Sequence, residues 1–334
     1  MSMTLANKVV LITGAGSGIG RSAAIHFARQ GWKVGLVGRG AQALAAARLD
    51  VEAAGGMAAT AQADVSDGAA LERAAVAIEM ALGPIDVWVN NAGTGFFGKF
   101  TDMSNEEFRR VMEVNFFGTV NGTRIALSRM RPRNAGTIVQ ILSAIGYRGV
   151  PLQSAYSSSK YALRGFNEAL RAELINERSA VHVTMVHPPA VNTPFYSHAG
   201  SRMDAVPRPP PPVYQPEMIG EAVYIAATSR QREWKVSGST LGFAIGNKVA
   251  PGVLDYLAGT IGVRAQQTRR KSVKDVRDVT LFAPSSKPAS THGPFDRESL
   301  ATSVQWWVDK SPPAVRFGLG VLAIGMLAAA RRRR

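Results

Sequence analysis

Six short runs of aliphatic and β-branched residues punctuate the first 190 positions, separated by longer stretches whose apolar residues recur at helical spacing. The runs predict strands at 8–13, 33–37, 57–62, 85–89, 136–143 and 181–187. The stretches between them predict helices at 18–30, 41–54, 68–82, 105–130 and 155–177. Strand and helix in strict alternation predict an α/β fold, a doubly wound parallel sheet of about seven strands with helices on both faces. From 188 to 216 the composition turns to Pro, Ser, His and Arg, with four consecutive prolines at 209–212. Their rings exclude regular helix and ladder pairing, so a long loop over the strand ends is expected, a lid or binding loop. A helix at 216–228 and a short strand near 239–243 then close the sheet.

The chain thus divides into a dinucleotide-sized α/β domain at 1–260, a basic irregular tail at 261–311 and an apolar segment with an arginine run at 312–334. With 334 residues, 46% of them hydrophobic, one large core is affordable. Cysteine is absent, which excludes disulfides, thiolate metal sites and cysteine nucleophiles. No metal site is expected, and a reducing cytoplasm fits. The first seven residues are too short and polar for a secretory leader, so no export is expected.

The net charge of +15 suits an anionic partner. Residues 251–334 hold 14 Lys/Arg against 6 Asp/Glu, a net +8, so the excess is densest near the C-terminus. No basic patch interleaved with aromatics and no zinc-finger spacing accompanies it, and nucleic acid is not an expected partner. Residues 317–330 carry no charge and lie between Arg316 and the Arg331 to Arg334 run. A spanning helix needs about 20 apolar residues, so 314–334 either contacts a membrane or packs on the domain. Trp306 and Trp307 lean towards the interface, where indoles concentrate.

Directly after the first strand comes Thr13-Gly14-Ala15-Gly16-Ser17-Gly18-Ile19-Gly20, opening a helix. Glycines there let the chain reverse, let a pyrophosphate reach the backbone and let the helix pack close, while N–H groups at the helix start face the anion. The spacing Gly14, Gly18, Gly20 differs from Gly-x-Gly-x-x-Gly, so the turn alone also fits a ligand-free connection. At the end of the second strand an NAD site usually carries a carboxylate for the adenosine ribose. Here stand Gly38 and Arg39. The missing carboxylate and the guanidinium favour NADP(H) over NAD(H).

Tyr156 and Lys160 are four residues apart in a helical run and share a face. A cation beside a phenol favours the phenolate, which makes tyrosine a usable general acid or base. Ser143, ending the fifth strand, brings a hydroxyl to the same sheet edge for a substrate oxygen. In isolation each has an ordinary structural role; their combination is what points to catalysis.

These features resemble the short-chain dehydrogenase/reductase family, in its single-domain branch with a C-terminal extension. They run in family order: the Thr13 to Gly20 turn, Asp64-Val65, Asn90-Asn91-Ala92-Gly93, Asn115, Ser143, Tyr156-x-x-x-Lys160, and Pro188 to Thr193. The resemblance covers about residues 5–260. It implies a Rossmann-type fold and a hydride transfer between nicotinamide and a carbonyl or alcohol, with Tyr156 as general acid and base. It further implies that Ser143 orients the carbonyl, Lys160 binds the nicotinamide ribose and depresses the tyrosine pKa, and Asn115 holds a water in a proton relay. Asp64 and Val65 would contact the adenine, while Asn91, Ala92 and Gly93 would flank the cofactor. Binding would also run through Val191 and Thr193. The family usually has Pro-Gly where this chain has Pro188-Pro189, which removes a backbone donor and leaves the nicotinamide contacts open.

A small or medium apolar substrate is expected, because Phe96, Phe97, Phe195 and Tyr196 fall in loops at the active edge. A homodimer or homotetramer is implied by resemblance. Two rival classes are a non-catalytic NADP(H)-binding or membrane-associated interaction protein, and an epimerase or dehydratase of nucleotide sugars. Retention of Ser143, Tyr156 and Lys160 argues against the first; the Arg-rich irregular segment after Ala250 argues against the second.

Overall fold

The computed structural model describes residues 7–271, 279–285 and 288–311. The six apolar runs form strands β1 (Val9–Thr13), β2 (Lys33–Gly38), β3 (Met57–Gln62), β4 (Ile85–Asn90), β5 (Thr137–Ile141) and β6 (His182–His187). A seventh, β7, is Glu233–Lys235, and all seven pair parallel in the order β7-β6-β5-β4-β1-β2-β3. Alternation along β1 explains why every one of its residues is buried. Val10 and Ile12 enter one core layer with Phe27 and Val223, whereas Val9 and Leu11 enter the other with Ile78 and Trp88. A strand buried on both faces reads as an unbroken apolar run, which is how it announces itself in sequence.

Helices α1 (Gly18–Arg29), α2 (Ala41–Ala53), α3 (Gly68–Leu82), α4 (Asn105–Met112), α5 (Gly118–Met130), α6 (Ser154–Asn176), α7 (Pro216–Thr228), α8 (Gly238–Val249), α9 (Pro251–Leu257) and α10 (Val304–Lys310) complete the framework. The α1–α7 contact is close: a Cβ on Gly220 would stand 2.6 Å from Ser22 Oγ, which donates to the Pro216 carbonyl at 3.0 Å.

Four expectations change. The helix expected at 105–130 is interrupted by a π-turn at Glu113–Phe117, the geometry in which one extra residue is inserted into the helix. The closing strand is not 239–243, which lies within α8; Ser237 caps that helix by accepting the Thr240 N–H. The five residues Ser239 to Phe243 are too few to distinguish strand from helix, whereas Glu233-Trp234-Lys235 buries only its central residue between polar neighbours. The segment 188–216 is not a single irregular loop, since Ala190–Val191 pairs with Val213–Tyr214 and Phe195–His198 forms a helical turn.

The described parts of 261–311, expected to be loosely packed, fold back on the domain. Ser299–Leu300 extends the small sheet beside Val213–Tyr214. Trp306 is fully buried against Trp234 and donates its indole N–H to Glu221 at 2.8 Å. The segment 317–330 lies outside the described residues.

Candidate active site

The chain moves outward from β1 to β2 and β3, then returns to place β4 on the other side of β1. That reversal leaves a crevice at the carboxyl ends of β1 and β4, the position where doubly wound sheets bind ligands. Here it is a cleft of about 630 Å³ that runs from the glycine turn past the end of β2 to Tyr156. Gly14 and Gly18 adopt φ of +65° and +53°, a conformation that favours glycine, so the turn is built from residues able to take it.

Two expected cofactor residues hold the turn from behind. Thr13 Oγ1 donates to the Val89 carbonyl at 3.2 Å and accepts the N–H groups of Asn91 and Ala92 at 3.0 and 3.1 Å. Asn91 Nδ2 donates to the Thr13 carbonyl at 2.9 Å, tying the loop after β4 to the turn after β1. Gly20 also stands behind the cleft, with no room for a side chain, since a Cβ would lie 2.4 Å from the Gly14 carbonyl oxygen. Gly14, Ser17, Gly18, Ile19, Asn91, Ala92 and Gly93 line the cleft itself. One helix-start donor is already engaged: Gly18 N–H donates to the Ser290 carbonyl at 3.2 Å. Helices leave their next amides without intrahelical partners, and Ile19 supplies one beside the cleft.

At the far end stand Arg39, Asp64 and Val65. Burial disfavours the Asp64 carboxylate, but hydrogen bonds from Ser66 and Arg110 outweigh it and hold the pKa below the usual value. Arg110, which the sequence reading missed, pairs with Asp64 and also donates to Ser66 Oγ at 2.8 Å. Arg39 donates through Nη2 to the Thr280 carbonyl, and its Nη1 lies 3.7 Å from Asp64. That Nη1 is buried and makes no hydrogen bond. A buried guanidinium nitrogen with an unused donor, on the lip of the cleft, fits a further anionic group.

The catalytic candidates converge where β5 ends. Ser143 caps a short helical turn by accepting the Ile145 N–H at 3.2 Å, and its hydroxyl hydrogen-bonds Tyr156. Lys160 is almost fully buried, donates to the Ile141 carbonyl at 2.8 Å and lies 5.4 Å from the centre of the Tyr156 ring. Burial pushes the Tyr156 phenol up to about 12, partly offset by the Ser143 hydrogen bond. The direction is opposite to the depression expected from an adjacent lysine. Burial lowers Lys160 itself to about 8, so the same apolar setting works against both charges.

Asn115 does not line the cleft. Its amide, fully buried within the π-turn, accepts the Thr94 N–H at 2.8 Å and donates to the Thr94 carbonyl and Ser159 Oγ at 2.9 and 3.1 Å. It therefore joins the loop after β4 to α6, the helix bearing Tyr156 and Lys160. A second buried support was not foreseen. His187, at the end of β6, lies 3.2 Å through Nδ1 from the Ser143 carbonyl oxygen and 3.3 Å through Nε2 from the Tyr147 hydroxyl. Burial lowers the His187 pKa and favours the neutral ring.

The loop after β6 brings Val191 and Thr193 to the cleft, and Pro189 lines it as well. Phe195 and Tyr196 line the cleft as expected, with Phe195 5.5 Å from the Tyr156 ring. Phe96 and Phe97 do not; both are buried in satellite clusters below it. The remaining wall comes from residues with no forewarning in the sequence: Phe243, Leu254, Leu257 and Ile261, with Gln153 donating to Gln266 Oε1 at 2.6 Å at their base.

Residues 8–204 match the family model described as short chain dehydrogenase, a span that includes the turn, the serine, the tyrosine and the lysine. The chain belongs to the short-chain dehydrogenase family. The oxidoreductase YxnA of Bacillus subtilis (strain 168) is 34% identical over 270 residues, covering 80% of this chain and 76% of that protein. A short chain dehydrogenase from Mycobacterium paratuberculosis bound to NAD superposes with a TM-score of 0.63 and 29% identity, over 71% of this chain and 99% of that one. An alcohol dehydrogenase from the archaeon Thermococcus sibiricus complexed with 5-hydroxy-NADP gives 0.58 and 27%, over 68% and 94%. This short-chain dehydrogenase is accordingly an oxidoreductase acting between CH–OH and C=O with a nicotinamide cofactor, on the Rossmann-type sheet described above.

Proposed function

We propose that this enzyme is an NADP(H)-dependent reductase or dehydrogenase of small or medium apolar carbonyls and alcohols. One observation carries the reading: a single cleft joins the glycine turn and the unsatisfied Arg39 nitrogen at one end to Ser143, Tyr156 and Lys160 under an apolar wall at the other. Gly14, Ser17, Gly18, Ile19 and Gly93 would hold the pyrophosphate and flank the cofactor, Asp64 and Val65 the adenine, Arg39 a 2′-phosphate, and Val191 and Thr193 the nicotinamide end. When bound, the nicotinamide supplies or accepts the hydride.

The chain's own groups handle the oxygen and its proton. In reduction, Ser143 Oγ donates a hydrogen bond to the carbonyl oxygen and Tyr156 Oη gives it a proton; in oxidation Tyr156 takes that proton back. A phenol held near 12 is almost wholly protonated at neutral pH, so the positive charge of Lys160 must make its deprotonated form accessible while Ser143 holds the substrate oxygen. Thr13, Asn91, Asn115 and His187 position these groups rather than touch substrate. Phe195, Leu254 and Ile261 select apolar substituents through contact area alone.

Residues 314–334 are proposed as a membrane contact of an otherwise cytoplasmic enzyme, and copies are proposed to pair through α4, α5 and α6, where Phe117 in the π-turn between α4 and α5 and Ile175 on α6 are exposed. The test is a panel of apolar aldehydes, ketones and alcohols followed through NADPH absorbance. Tyr156→Phe is expected to lower kcat by roughly 10²–10⁴ while NADPH fluorescence titration stays nearly unchanged. Undiminished turnover in that variant would refute the assignment.

A further inference from the structure

Helices α8 and α9 and the π-turn after them, Ala258–Gly262, carry many apolar residues that the domain leaves exposed. Across 238–263 the charged side chains are Lys248 and Asp255, and Asp255 is paired with Arg148. None of the seven α9 residues is buried, nor any residue of the π-turn. Ile245 is 54% exposed, Val249 77%, Val253 59%, Tyr256 73% and Ile261 61%. Isolated exposed aliphatics are ordinary on a protein surface; a run of them along consecutive helices is not. Helix α10, which packs beside α8, adds Val304 at 83% and Trp307 at 52%.

The same helices form the substrate wall of the cleft. Phe243, Leu254, Leu257, Ala258 and Ile261 face it, and Leu257 and Ile261 are at once cleft-lining and exposed. The apolar surface therefore continues over the rim from outside to inside at Leu257 and Ile261, beside the Arg148–Asp255 pair.

We propose that this α8–α9 face seats on an anionic lipid surface, so that the cleft draws a membrane-dissolved carbonyl or alcohol directly from the bilayer. The occupant follows from charge and connectivity. The chain carries +15, and the residues after Ser311, which leave from α10 beside α8, hold an uncharged stretch at 317–330 and then four arginines. Basic residues flanking apolar surface fit anionic headgroups. Among the described residues no helix is long and apolar enough to cross a membrane. The substrate class named here rests on the reading of Tyr156 and Ser143 given above; the seating itself does not.

The absence of cysteine makes a direct test available. Val253→Cys in the full chain, labelled with an environment-sensitive fluorophore, is mixed with vesicles of phosphatidylcholine with or without phosphatidylglycerol. The expected result is a blue shift and brightening with the anionic vesicles, reversed by salt, and no change for a probe at Met80→Cys on α3. No shift at Val253 overturns the proposal. So does a probe already blue-shifted without lipid in a concentration-dependent way, which assigns the face to a second copy. In a paired arm, Ile245→Glu with Val249→Glu is expected to weaken vesicle binding roughly tenfold or more. It should lower turnover of a bilayer-dissolved long-chain ketone to a similar degree while sparing a water-soluble one. Equal loss on both substrates overturns the delivery route. Because the probe response requires no turnover, it separates failure of the seating from failure of the catalytic reading.

Discussion

Replacing Arg39 by alanine tests the cofactor choice at the atom that motivates it. The side chain is 24% exposed, one guanidinium nitrogen is committed to the Thr280 carbonyl, and Nη1 is buried without a hydrogen bond. A hydrogen bond from a charged donor to a phosphate contributes about 1.5–3 kcal/mol, and partial solvent access places this one towards the lower figure. At about 1.4 kcal/mol per decade, the ratio of kcat/KM for NADPH to that for NADH should fall roughly 10- to 100-fold. The fall should come from the NADPH value alone, because NADH offers no group for Arg39 to hold. Stability should change little, since Asp64 keeps its bonds from Ser66 and Arg110. The assay is initial-rate kinetics with both cofactors on one substrate, with a thermal melt as the folding control. Equal use of NADH by the native enzyme, or an unchanged ratio in a folded Arg39→Ala variant, would refute the reasoning.

Burial lowers Lys160 to about 8 from an ordinary 10.5, so between those values the unfolded chain binds the extra proton and stability rises with pH. Tyr156, raised to about 12 from 10.0, stabilises the fold below pH 10 and loses that contribution as pH rises further, so the lysine effect is cleanest between about 8 and 10. Lys160→Met should flatten the rise measured as Tm against pH, increase Tm at neutral pH and end turnover; a melt with the native pH dependence would contradict this. Trp306→Ala removes a fully buried indole and should cost about 3–5 kcal/mol, a fall in Tm of roughly 5–10 °C. An unchanged Tm would show that 288–311 is not part of the cooperative unit.

What could be read in the sequence was local and periodic. Strands buried on both faces announce themselves as aliphatic runs, and β1 to β6 fall within two residues of the expected bounds at every end. Ser143, Tyr156 and Lys160 were legible because two lie on one helical face and the third ends a strand of the same sheet, so element order alone brings them together. Lys160 also shows the limit of that reasoning. Spacing predicts a cation beside a phenol, but not how far burial disfavours both charges, and that balance reverses the expected shift of Tyr156.

The contacts that escaped the sequence join positions from tens to more than a hundred residues apart, across elements that the local pattern does not pair. Asn192, the variable residue between Val191 and Thr193 in the expected motif, is fully buried and bonded on every side. Its Oδ1 accepts the Phe295 N–H at 3.0 Å, its Nδ2 donates to Gln215 and Asp296 at 3.1 and 2.8 Å, and its backbone N–H donates to the Tyr214 carbonyl at 2.8 Å. A buried amide so fully satisfied cannot lose one partner without stranding the others, so the segment around Phe295 is fixed to the cofactor loop. Polarity and proline had marked that segment as loose, because composition reports whether a stretch can form its own core and not whether another part of the chain supplies its partners. Gly293 makes the same point sterically: a Cβ there would lie 2.5 Å from the Thr193 carbonyl oxygen, which only a glycine permits. The extension past residue 260 is therefore part of the cleft's construction, reaching the glycine turn at Ser290, the loop after β6 at Phe295 and the outer sheet at Trp306.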